Sequence, residues 1–254
     1  MIELYHLANA ICAAKVRIAL EEKGLDWTSI PVSDLRDEAY LAINPFGVVP
    51  TLVHNGVVFL ESRIICEYLD EAFRAAPLVP ATPLGRHRMR LWSKQIDDGL
   101  HLALYILGFS ASGFGGAAMD DPATRALRLP REPFKRQVAL ELLRDGWSSP
   151  WIPVALDRAR ATVQAIEQSL AVDPWLAGAD YSLADADFTP CIQRLEDLGL
   201  NSLWARAPAL TGWWARLKAR PSYEAAVTRW RTPADDARFA QGATRLAALL
   251  PDVL

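Results

Sequence analysis

The chain has 254 residues, 51% hydrophobic and 22% charged, with a net charge of −3. That length suits one large domain or two ordinary ones with a sizeable core, and no basic excess advertises nucleic acid. Cys12, Cys66, Cys191 and four histidines lie scattered, without disulfide or metal-ligand spacing, which argues for a reduced cytoplasmic setting and no metal.

In chain order, Ile2–His6 reads as a strand and Cys12–Lys23 as a helix closed by Gly24, with Val16, Ala19 and Leu20 on one face. The segment Met1-Ile2-Glu3-Leu4-Tyr5-His6 lacks a basic region followed by a long apolar run, so no secretion signal is expected. Trp27–Val32 is a second strand. A short helix from Asp37 to Ile43 stops at Asn44-Pro45, because the residue before a proline is pushed out of the helical region. Thr51–Val53 and Val57–Leu60 flank His54-Asn55-Gly56, a hairpin whose Asn-Gly supplies the positive φ angles of a tight turn. A helix follows from Ser62 to Phe73, so the order is βαβαββα. Ala75–Pro83 is a proline-studded linker.

Everything beyond reads as helix. Met89, Trp92, Ile96 and Leu100 step by three and four, as do Leu156, Ala159, Val163, Ile166 and Leu170. Trp213, Trp214 and Leu217 mark another helix, and a tail helix runs from Asp235. Gly99–Met119 carries no Asp, Glu, Lys or Arg and is long enough to span a bilayer, but its five glycines and two serines break the helical pattern. A helix end followed by an apolar loop is expected instead, with no membrane span. Gly113-Phe114-Gly115-Gly116 follows no strand and lacks the lysine and spacing of a phosphate loop. Two domains result: residues 1–75, an α/β unit, and 84–254, an all-helical bundle.

The chemistry concentrates between Val49-Pro50 and Glu61-Ser62. A proline directly before a strand is where a cis bond can sit, since trans is favoured by only about 0.5–1 kcal/mol at X-Pro, and Val49 would then turn its N–H and C=O toward an extended peptide. The hairpin returns Glu61-Ser62 beside that bond. Ser62 reads as the N-cap of the next helix, whose first amides attract a carboxylate, and Glu61 can hold an ammonium group. Taken singly, each has a plain structural reading: a trans proline opening a strand, and a cap. Taken together, they describe a site for a γ-glutamyl group followed by a peptide.

The runs Asn44-Pro45-Phe46-Gly47-Val48-Val49-Pro50-Thr51-Leu52 and Glu61-Ser62-Arg63-Ile64-Ile65-Cys66-Glu67-Tyr68-Leu69 resemble the cytosolic glutathione S-transferase superfamily. Trp175-Leu176-Ala177-Gly178 and Tyr181-Ser182-Leu183-Ala184-Asp185 are similar to its buried capping box, in which Ser182 and Asp185 close the helix start reciprocally. The resemblance covers nearly the whole chain. It implies a thioredoxin-like N-terminal domain, an all-α C-terminal domain, glutathione as co-substrate and a homodimer. It gives Val49 the cysteinyl backbone of glutathione, and Glu61 and Ser62 its γ-glutamyl end. Many members carry Gln where Val48 stands, so one side-chain contact is absent here.

Asn9-Ala10-Ile11-Cys12 is similar to the serine/cysteine-type bacterial branch, in which Ser-x-Cys precedes a basic residue; Ala10 replaces the serine. Three sources of thiolate stabilisation stay open: Cys12 itself, the Asn9 side chain, and backbone amides near Ile11 and Cys12. Tyr5 sits inside an apolar strand and reads as packing. Leu7, Tyr105 and Phe109 are expected to line a hydrophobic acceptor pocket, with 106–119 as its lid. The runs 81–94 and 130–135 look like glutathione-dependent β-etherases, more loosely. Conjugation of a hydrophobic aromatic electrophile, β-aryl ether cleavage and reductive dehalogenation are the enzymatic expectations. A non-catalytic ligand- or partner-binding protein is the expectation from another class, supported by Ala10.

Overall fold

β1 (Ile2–His6) runs parallel to β2 (Thr28–Pro31) and antiparallel to β3 (Thr51–His54), which pairs in turn with β4 (Val57–Phe59). The sheet order is β2-β1-β3-β4. The computed structural model describes residues 1–114, 121, 125 and 129–249. Asn55 and Gly56 take φ of 51° and 81°, the two positive angles that a two-residue hairpin turn demands. Between the strands lie α1 (Ile11–Glu22) and α2 (Glu38–Ile43), and α3 (Ser62–Ala72) follows the hairpin. Asp37 caps α2 by accepting from the N–H groups of Ala39 and Tyr40.

Strand residues alternate sides. Leu4 and Leu52 are fully buried, as are Val16, Ala19 and Leu20 of α1 and Ile65 and Leu69 of α3, which packs against α1. Each buried leucine contributes about 1.5–3 kcal/mol. Tyr5 points to the opposite face, where its ring lies 6.0 Å from that of Tyr40 in α2. The proline-rich linker is held in place: Asp70 accepts the N–H groups of Leu78 (2.7 Å) and Val79 (3.2 Å) and pairs with Lys23 (2.8 Å).

The later helices are α4 (Pro83–Gln95), α5 (His101–Ala111), α6 (Pro133–Asp145), α7 (Trp151–Leu170), α8 (Leu183–Asp197), α9 (Pro208–Lys218), α10 (Pro221–Ala226) and α11 (Pro233–Ala248). A π-helical stretch, Ile96–Leu100, joins α4 to α5. The chain forms two compact units. One comprises Met1–Lys94, Ser169–Pro190 and Gly212–Arg231; the other comprises Gln95–Gln168, Cys191–Thr211 and the chain from Thr232.

In the first unit, α10 packs on α1, and the expected capping box is present. Ser182 Oγ accepts the Ala184 N–H (3.3 Å), while Asp185 accepts the Ser182 N–H (3.0 Å). Asp185 also accepts from Leu176 N–H and Trp213 Nε1–H, so its buried carboxylate ties three segments. In the second unit, α11 lies directly on α5: a Cβ at Gly242 would fall 2.2 Å from the Ala111 Cα. Among the described residues no helix is long and apolar enough to cross a membrane, and no His, Cys, Asp and Glu cluster could hold a metal.

Candidate functional site

Three segments leave the sheet at one end: the chain after β1, the chain before β3 and the chain after β4. The antiparallel registers cause this, since Tyr5 pairs with Thr51 and Leu52 with Phe59. Carried two residues further, the hairpin register faces Pro50 with Glu61.

The Val49-Pro50 bond is cis. A small polar lock fixes the turn ahead of it. Tyr40 Oη–H (2.5 Å) and Asn44 Nδ2–H (2.8 Å) both donate to the Val48 carbonyl, and both groups also lie against the Thr51 hydroxyl (3.0 and 2.9 Å). All three side chains are buried. The N–H and C=O of Val49 make no hydrogen bond among the described residues, so an extended ligand strand could pair with them. The Val48 side chain faces solvent, 48% exposed.

Glu61 adopts φ 68° and ψ 109°, a left-handed conformation that costs a non-glycine residue roughly 1–3 kcal/mol. It occupies the N-cap position of α3 without a side-chain cap bond. Ser62 is therefore not the cap: it is already the first helical residue, because the non-helical φ falls one position earlier. Its hydroxyl, in a residue 8% exposed, has no hydrogen-bond partner among the described residues, and neither has the exposed Glu61 carboxylate. With the amides that open α3, they leave an acceptor for a cation and donors for an anion next to each other.

The third segment links β1 to α1. The Ala10 N–H closes it onto the Leu7 carbonyl (3.2 Å), and α1 starts one residue before the expected Cys12, at Ile11. Ala10 is the N-cap and brings no oxygen; no acidic residue lies in the first turn. The first helical bond runs from Ala14 N–H to Ala10 C=O, so the amides ahead of it are outside the helix's own pairing. Cys12 lies in that turn, half-buried and in no disulfide. Asn9 sits two residues before the helix. Burial pushes the Cys66 thiol in α3 well up, consistent with a small packed residue.

Beneath this loop lies Arg17. Its guanidinium donates to the carbonyls of Leu7 (3.3 Å), Ala8 (2.9 Å) and Ala226 (2.8 Å) and to His6 Nδ1 (3.1 Å). His6 Nε2 bonds Ser29 Oγ at 2.8 Å. Burial, followed by the neighbouring Arg17 charge, pulls His6 down to about 4.

Leu7 is half-buried in the first unit. Tyr105 and Phe109 belong to the second unit, stacked at 5.8 Å and packed on Leu129 and Ala139. Burial pushes the Tyr105 phenol up to about 12. Of the expected lid, Phe114 meets Phe109 and Trp147 edge-on, and residues 115–119 lie outside the described residues. Sequence reading missed Tyr40, Asn44, Thr51 and Arg17. Asn44 and Thr51 lie in the run that carries the family resemblance, and Arg17 shows as a charge beside the apolar stripe of α1, but none of these signals a role at the site.

Residues 4–77 match the glutathione S-transferase N-terminal domain, and residues 151–221 match the C-terminal domain. Protein LigF of Sphingobium sp. (strain SYK-6) is 27% identical over 239 residues, which cover 87% of this chain and 91% of LigF. The crystal structure of that β-etherase superposes with a TM-score of 0.75 at 26% identity, covering 89% of this chain and 98% of the other. A stringent starvation protein A homologue of Pasteurella multocida is 29% identical, covering 82% of each chain. The tetrachloro-p-hydroquinone reductive dehalogenase of Sphingobium chlorophenolicum is 25% identical, covering 91% of this chain and 98% of the dehalogenase.

Proposed function

The chain belongs to the glutathione S-transferase superfamily, and from that premise we propose that it is a glutathione transferase acting on hydrophobic, aromatic electrophiles. The observation that carries this reading is a set of groups at one end of the sheet that have no hydrogen-bond partner among the described residues: the Val49 backbone, the Ser62 hydroxyl and the Glu61 carboxylate. Val49, which precedes the cis bond to Pro50, pairs with the cysteinyl backbone of glutathione. Ser62 and the first amides of α3 take the γ-glutamyl carboxylate, and Glu61 takes its ammonium group. The 1–75 segment is the glutathione-binding domain, and 84–254 supplies the acceptor pocket.

The thiol then lies at the start of α1. A free thiol titrates near 8.5, so it needs stabilisation to react at neutral pH. The uncapped first-turn amides supply it, with Cys12 and Asn9 as the side chains beside the sulfur. The thiolate attacks an electrophilic carbon, the new C–S bond forms, and a halide or phenolate leaves with the displaced electron pair. Tyr105 and Phe109, stacked within the second unit, are the candidates to hold the apolar part of the acceptor, and Leu7 is the apolar residue of the thiol loop. No step calls for a metal. The setting is the cytoplasm and the working form a homodimer.

The similarity to a β-etherase favours one second reading, in which the leaving group is the phenolate of a β-aryl ether. Incubating the protein with glutathione and, in turn, chlorodinitrobenzene, a β-aryl ether and a halogenated hydroquinone tests both by mass spectrometry. A glutathione thioether with loss of halide or phenolate is expected. Bound glutathione with no electrophile consumed above the background rate would overturn the enzyme in favour of a binding protein.

A further inference from the structure

We propose that Arg17 is a positioning residue that sets the acidity of the bound glutathione thiol through the peptide groups of the Leu7–Asn9 loop. This rests on the glutathione reading above. Arg17 is 1% exposed, yet every group it meets is neutral: the carbonyls of Leu7, Ala8 and Ala226, the His6 ring and the Trp230 face, 4.9 Å from the guanidinium carbon. Among the described residues it has no carboxylate partner. An interior cation without a counter-ion is costly to fold in, and breaking such a burden up with a nearby acid would be the ordinary remedy.

The consequence follows from peptide geometry. A trans peptide directs its C=O and N–H in opposite senses. With the Leu7 and Ala8 carbonyls turned to the guanidinium, the N–H groups of Ala8 and Asn9 are turned away from it, and that of Ala8 makes no hydrogen bond among the described residues. A charged donor on each carbonyl polarises the peptide and strengthens its N–H as a donor. The loop at the start of α1 thus presents oriented, polarised amides, backed by a positive charge in a low-dielectric interior. A thiolate there is favoured over a thiol.

The titratable group facing Arg17 from β1 is His6; α10 and the segment after it contribute only the Ala226 carbonyl and the Trp230 ring. Burial lowers Arg17 to about 9, and His6 is neutral above about 4, so at neutral pH Arg17 stays charged and His6 does not compete. The ring of His6, held edge-on to Trp230 at 4.6 Å, keeps the guanidinium aimed at the loop.

The test compares the unmodified protein with Arg17→Met and Arg17→Lys. The pKa of bound glutathione is read from thiolate ultraviolet absorbance and from the pH dependence of kcat/KM, with glutathione affinity measured by calorimetry on the same samples. Arg17→Met is expected to raise the bound-thiol pKa by about one unit, a tenfold loss of thiolate well below it, with affinity for the non-reacting analogue S-methylglutathione little changed. Arg17→Lys, which keeps the charge but cannot bridge the carbonyls, should fall between the two. A pKa unmoved in Arg17→Met overturns the proposal and leaves a purely structural residue. If Arg17→Met does not fold, an unmoved pKa in Arg17→Lys overturns it equally. Failure of the unmodified protein to bind glutathione sinks the underlying reading, and this inference with it; binding with an unmoved pKa sinks this inference alone.

Discussion

Cys12 lies in the first turn of a helix whose N-cap brings no side-chain bond. The Ala10 side chain carries no donor, so in the mechanism we propose the thiolate leans on backbone amides and on whatever Cys12 and Asn9 add. Losing one donor to a charged sulfur, while the amides remain, should be modest. Cys12→Ala is expected to lower kcat/KM for conjugation by about tenfold, or about 1.4 kcal/mol, with glutathione affinity little changed. Full turnover of every accepted substrate by that variant would remove Cys12 from the mechanism and move attention to Asn9. Residues acting through local pattern could be read from the sequence: Pro50 before a strand, Glu61-Ser62 after a hairpin. The residues that hold them could not. Tyr40 and Asn44 converge on the Val48 carbonyl and the Thr51 hydroxyl only once α2 has folded onto the sheet, and Arg17 reaches a carbonyl 209 residues away. Such partners leave no spacing in the chain.

At the scale of elements, the local signals were dependable because the physics is local. Asn55-Gly56 fixed the hairpin, and Ser182 with Asp185 fixed the start of α8. The one-residue errors at Ile11 and Ser62 arise where the caps, Ala10 and Glu61, lack a capping bond and so give no sequence mark. The box at α8 also makes a stability prediction. Burial pushes Asp185 up to about 6, against the pull of the donors from Leu176, Trp213 and Ser182. Between about 4 and 6 the unfolded chain has lost this proton while the folded one still holds it, so this group's contribution to stability falls as pH rises through that window and is level above it. Asp185→Asn, which sets an amide N–H against those donors, should lower stability by about 2 kcal/mol or more. The gap between the two proteins, from urea melts, should be wider at pH 5 than at pH 7.5. An equal gap at both pH values would contradict the assignment to Asp185.

At the scale of the molecule, the division at the proline-rich linker is one of secondary structure, a sheet-bearing part followed by helices. The compact units are a division by packing, and the first gathers Ser169–Pro190 and Gly212–Arg231 around the sheet. Hydrophobic stripes predicted the helices but carry no record of which distant helix meets which. The substrate was less legible still, because Leu7, Tyr105 and Phe109 are apolar residues that suit any core. The central proposal is the glutathione end of the site. Calorimetric titration tests that claim most directly, with glutathione, with the dipeptide cysteinylglycine, and with the Ser62→Ala protein. The account predicts glutathione binding, no binding of the dipeptide that lacks the γ-glutamyl group, and about tenfold or greater weakening in Ser62→Ala, as for a lost hydrogen bond to a charged group. No heat at millimolar glutathione, or equal affinity for the dipeptide, would contradict it.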